Sequence, residues 1–209
     1  MKRIALVTGL CLLGVLGATL AASFGNGSFT AHMVVHMGVV AVASPLIAYG
    51  IADTPHDPFP PPARPSPILA SIVELVVVWF WHVPAMRLVA DGSLALTLVE
   101  QASFLAAGLL LWLACFRPDE GRLAGAIGLL FTSMHMTLLG VLLALAPRPL
   151  YGEGDVTCFG MPLSAAADQQ IGGVVMLMTG AFAYLAGGIV LLAGLLREDA
   201  KLPTGKPRC

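Results

Sequence analysis

FTAHMVVHMGVVAVASPLIAYGI, residues 29–51, runs for 23 residues without an Asp, Glu, Lys or Arg. About 20 such residues make a helix long enough to cross the hydrocarbon core of a bilayer. In that medium an ionisable or coordinating side chain is costly, yet the stretch carries His32, Met33, His36 and Met37. On a helix the two imidazoles stand one turn apart, about 40° apart in projection, with the thioethers on the adjoining stripe. Neutral imidazole and thioether together suit copper, above all the cuprous ion.

The rest of the chain has the same character. It is 57% apolar and 11% charged, with a mean hydropathy of +0.87, whereas a soluble domain is roughly 25% charged. Apolar runs at 4–22, 29–51, 67–88, 93–116, 123–146 and 171–196 predict an all-α, polytopic bundle of six transmembrane spans. Residues 1–28 read as a signal anchor or as a signal peptide. Lys2 and Arg3, an apolar stretch and the small residues of TLAAS fit both, and cleavage would leave five spans. Residues 29–196 form the bundle proper and 197–209 a tail. With a net charge of -1, no phosphate-cradling glycine loop and no basic patch, the chain offers nothing to nucleic acid. Its partner is the lipid bilayer.

Basic residues collect in cytoplasmic loops. If the N-terminus is inside, Lys2, Arg3, Arg64, Arg117, Arg122, Arg197, Lys201, Lys206 and Arg208 are cytoplasmic, and only Arg87 and Arg148 face out. The C-terminus is then cytoplasmic. TPHDPFPPPARPSP, residues 54–67, holds seven prolines and predicts an extended cytoplasmic connector, with His56 a solvated loop residue. The loop from Pro147 to Gln170 lies outside and is acidic through Glu153, Asp155 and Asp168, so a cation would arrive there. Cys11, Cys115, Cys158 and Cys209 are too scattered for a disulfide framework. Cys158 and Met161 could form a soft pair, though a lone loop thiol is more often incidental.

Placing the polar residues on these spans gathers them toward one side. His32 and His36 fall in the first two turns of the second span from outside, and His82 near the external end of the third. Glu100 and Gln101 lie about two turns into the fourth, Asp168 opens the last, and His135 sits near the middle of the fifth. Only Glu74 breaks the apolar inner half. Each has a plainer reading as well. His82 beside Trp79, Trp81 and Pro84 fits an interfacial belt residue, and His135 a packed histidine bonded to a carbonyl. Met134, Met136, Met176 and Met178 fit core packing, and Glu74 and Glu100 polar contacts between helices. A purely structural role is hardest to sustain for His32 with His36. Pro45 predicts a kink in the second span, and Gly172 with Gly173 a close approach of the last helix to a neighbour.

The ordered series His32 to Met37 (HMVVHM), Trp81 to Pro84 (WHVP), Glu100 with Gln101, Met134 to Met136 (MHM), Arg148 to Tyr151 (RPLY) and Ala167 to Met176 (ADQQIGGVVM) resembles the CtaG-like, caa-type family of membrane-embedded cytochrome c oxidase assembly factors. The resemblance covers nearly everything after the first run, and ADQQIGG is its most specific element. It departs at Gln101, where the family usually carries a histidine after the glutamate.

The resemblance implies a role in maturing a copper-containing terminal oxidase in a bacterial cytoplasmic (inner) membrane, by binding or passing copper on the periplasmic side. Its partners would be oxidase subunits or other copper-delivery proteins. Capture and handover, with no enzymatic step, is the expected mechanism. The expected core ligands are His32 and His36, joined by His135 or His82, with Met33 or Met37 as a soft auxiliary, and Glu100, Gln101 or Asp168 bonded behind an imidazole to hold its tautomer. Binding should weaken as pH falls through about 6.5, because imidazole must be neutral to ligate. Two other readings fit intramembrane histidines. One is a small membrane cytochrome with axial histidines on haem. The other is an ion or proton carrier, whose path would have to continue through the inner half.

Overall fold

A computed structural model describes residues 1–25, 27–59, 63, 65–116 and 122–199. Its helices are α1 (Lys2–Ser23), α2 (Phe29–Met37) running through a π-helical segment (Gly38–Ala43) into α3 (Ser44–Ile51), α4 (Pro67–His82), α5 (Pro84–Asp91), α6 (Leu94–Cys115), α7 (Arg122–Ala144) and α8 (Ala165–Asp199). Strands β1 (Asp155–Cys158) and β2 (Met161–Ser164) form an antiparallel hairpin between α7 and α8. Five helical stretches are long and apolar enough to cross a membrane, and α4 with α5 makes a sixth if the bent pair counts as one span. The chain is therefore a multi-pass, all-α membrane bundle. Arg64, Arg117, Lys201, Lys206, Arg208, Cys209 and the tail beyond 199 lie outside the described residues.

The third span departs from its expected 67–88 course. Val83 precedes Pro84 and is extended (φ -64, ψ 128), because the proline ring disfavours helical geometry in the residue before it. Helix α4 stops at His82, and α5 leaves at 71°. Pro45 acts more mildly than a kink. The six residues before Ser44 widen into a π segment, and the Ser44 hydroxyl donates to Val39 O at 2.8 Å. Such segments relieve a lost helical bond without breaking the rod.

Close helix contact depends on the paired glycines near the start of α8. A Cβ on Gly173 would come within 2.6 Å of Ala144 N, so α7 and α8 meet backbone to backbone there, while one on Gly172 would overlap the Phe29 ring. Helix α1 lies along the outside of α3 and the π segment, and Lys2 Nζ donates to Ala52 O at 2.7 Å at the far end of the bundle. At the near end the hairpin closes through Phe159 (φ 47) and Gly160 (φ 84), the two left-handed residues of a tight two-residue turn. Cys158 and Met161 are register partners across it, but the thiol is buried and the thioether exposed.

Candidate functional site

The site lies inside the hairpin end, where α2, α4, α5 and α6 meet. Its foundation is the start of α2. Ser28 caps the helix by accepting from Ala31 N–H at 3.2 Å. Asp168, from the first turn of α8, accepts from Phe29 N–H at 2.6 Å, Thr30 N–H at 3.2 Å and the Ser28 hydroxyl at 2.9 Å. Expected behind an imidazole, Asp168 instead holds the helix that carries two of them. A carboxylate there complements the partial positive charge of the helix end. Gln169 clamps the neighbouring chain, accepting from Leu150 N–H at 2.6 Å and donating to Leu143 O at 3.0 Å. The ADQQ element thus works as a latch.

His32 and His36 rise from that base with rings nearly parallel, 6.4 Å apart between centroids. Across from them His82 ends α4, its ring 5.4 Å from that of His36. His82 Nδ1 lies 2.7 Å from Val78 O. A carbonyl only accepts, so Nδ1 carries the proton and Nε2 keeps a lone pair. That Nε2 is buried and has no protein partner, as are both ring nitrogens of His36. Phe104 covers one side of His36 at 3.9 Å. Phe29 stacks on Tyr151 at 4.4 Å, and the Tyr151 hydroxyl donates to His82 O at 2.7 Å, so the RPLY loop presses on the end of α4. Burial pushes the Tyr151 phenol up to about 12, with Arg87 pulling the other way.

An ion network closes the outer side of the cluster. Arg87 is buried (7% exposed) and donates to both oxygens of Glu100, at 3.1 and 2.9 Å, and also to Asp91. The same guanidinium nitrogen lies 3.1 Å from His32 Nε2, and Glu100 Oε1 lies 3.2 Å from it. Arg87 is expected on the external side, at the end of the third span; the bend at Val83 turns its side chain into the bundle, because a charge beside hydrocarbon is stable only when paired. Two signals for it stood in the sequence: its position just past a proline and its spacing of four from Asp91. A cleft of about 190 Å³ is lined by His32, Arg87, Asp91, Ser28, Thr97 and residues at the end of α1.

The remaining expected residues lie apart or unpartnered. His135 faces Phe131 of its own helix at 5.8 Å and stands one turn beyond Thr132, whose hydroxyl meets that of Ser71 at 2.6 Å. Met33 packs toward Gly172 and Met37 toward Gly180, both on α8. Gln101 is nearly buried, and neither of its amide atoms has a partner. Deeper in the bundle Glu74 accepts from the Tyr184 hydroxyl at 2.8 Å, and Tyr184 stacks on Trp112. Among the described residues no three His, Cys, Asp or Glu side chains are arranged to hold a metal ion. What the cluster does offer is a pair of buried imidazoles with unpartnered ring nitrogens, on His36 and His82. Copper is among the metals that imidazole nitrogen suits.

Comparison with known proteins places the whole bundle. A family model described as cytochrome c oxidase caa3 assembly factor (Caa3_CtaG) matches residues 1–198. Among curated proteins and solved structures, none matches the chain significantly.

Proposed function

The chain belongs to the cytochrome c oxidase caa3 assembly factor family, and from that premise we propose that it takes up a cuprous ion between His36 and His82 and passes it to the oxidase during assembly. One observation carries the reading. His36 is fully buried with both ring nitrogens unpartnered, 5.4 Å from a His82 ring whose Nε2 lone pair is also free. Buried polar atoms without partners are costly, at roughly 1–3 kcal/mol each, and a ligand bound by them recovers that cost.

Copper is cargo here, and the protein's part is to bind, orient and release. The Val78 carbonyl fixes the His82 tautomer, Phe104 and the stacked Phe29 exclude water, and a cleft reaches the neighbouring His32. Two imidazoles without a thiolate hold a cuprous ion loosely enough to give it up, which suits a donor. The bundle would sit in the bacterial cytoplasmic membrane with the hairpin end periplasmic and the C-terminus cytoplasmic, in line with the distribution of Lys and Arg. Oxidase subunits, or copper carriers that serve them, would be the partners.

Purified protein in detergent, reduced and titrated with cuprous ion against a competing chelator, tests the reading. The wild type should bind one equivalent and the His36→Ala, His82→Ala variant none. No uptake by the wild type, or equal uptake by both proteins, would sink it. A reporter fused at the C-terminus and active only in the cytoplasm checks the orientation.

A further inference from the structure

Arg87 stands where a metal site would least tolerate it: a guanidinium 3.1 Å from an imidazole nitrogen, inside the cluster. Arginine only donates. When it bonds to His32 Nε2, that nitrogen must present its lone pair, and the ring proton moves to Nδ1. His32 then has no lone pair left for a metal. Glu100 competes from 3.2 Å, where it would accept a proton carried on Nε2, but one Nη1 hydrogen of Arg87, shared between its two oxygens, already holds it, and the other Nη1 hydrogen remains for His32.

We propose that Arg87 sets the metal specificity of the pocket by holding His32 and Glu100 out of the ligand set, so that only the His36 and His82 pair remains. This rests on the copper reading and extends it to the choice of ion. Two neutral nitrogens satisfy a cuprous ion, whereas zinc takes four ligands, or three and a water. Without Arg87, Glu100 would accept from His32 Nε2–H and leave Nδ1 free, and an imidazole oriented by a carboxylate is a common arrangement behind a bound metal.

Zinc binding to the apoprotein in detergent, with nitrogen NMR of His32, tests this without copper. Wild type and Arg87→Lys should bind zinc weakly. Arg87→Gln, and the Arg87→Gln, Glu100→Gln variant that removes both buried charges together, should each gain about tenfold or more in zinc affinity. His32 should carry its proton on Nδ1 in the wild type and on Nε2 in Arg87→Gln. Wild-type zinc affinity equal to that of the variants, or a wild-type His32 protonated on Nε2, would overturn the proposal. If the wild type takes no cuprous ion, the copper reading fails on that titration, while the zinc and tautomer measurements still decide what Arg87 does.

Discussion

Asp168 Oδ2 accepts from the backbone N–H of Phe29 at 2.6 Å, joining the first turn of the last helix to the first turn of the helix that carries His32 and His36. Residues 139 positions apart in sequence thereby fix the height of the imidazoles in the bundle. The two N–H groups it accepts belong to the orphan donors at the start of a helix, which in an apolar surrounding have no water to turn to.

Asp168→Ala should therefore destabilise the bundle by about 2–3 kcal/mol, the combined scale of a lost helix cap and a lost charged hydrogen bond. Asp168→Asn, which keeps an acceptor, should lose less. Thermal unfolding in detergent measures both, and equal midpoints for Ala and wild type would contradict the latch.

Copper uptake should separate the histidines. His36→Ala or His82→Ala should each abolish it, whereas His135→Ala should leave it intact, because the His135 ring faces Phe131 and lies on α7. Met33→Leu and Met37→Leu, which nearly conserve volume, should also bind as wild type. Chelator competition reads all five variants in one assay.

Gly173→Val should loosen α7 from α8. The added Cβ would lie 2.6 Å from Ala144 N, a backbone atom that cannot swing away, and overpacking of this kind costs about 1–3 kcal/mol. Gly152→Ala makes a poor control because its φ is 92, whereas Gly14→Ala meets open space in the middle of α1 and should leave stability unchanged or slightly raised. Unfolding midpoints distinguish them.

Tyr151 gives the bundle an alkaline limit. Its phenol is pushed up to about 12 in the fold, above the ordinary value near 10, so its contribution is complete below about 10 and is lost as pH rises toward 12. Tyr151→Phe should remove that part of the pH dependence and lower stability at neutral pH by the lost bond to His82 O. Stability of both proteins from pH 8 to 12 checks the sign.

The helices were legible because hydrocarbon imposes one rule, long apolar runs, and Phe29–Ile51 obeys it without exception. The close approach at Gly172 and Gly173 was legible for the same reason, since small residues leave few alternatives. Arg87 was not. Its role depends on an angle at Val83 that no periodicity records, and a basic residue near a span end reads first as a loop residue. Asp168 was read for its charge and turned out to matter for its height on α8, where it reaches the backbone of another helix. The hairpin at Asp155–Ser164 went unseen because Phe159 occupies a left-handed turn position usually left to Asn or Asp.

The elbow between Val83 and Pro84 also bears on biogenesis. A straight segment would have to carry Arg87 into the lipid as part of one inserting rod, with its charge bare until a later helix arrived. Folding back at 71° lets the segment end at His82 and leaves the arginine at the interface, free to wait for Glu100. Insertion and closure become separate events, because Arg87 gains its buried carboxylate partner only once α6 brings Glu100 alongside.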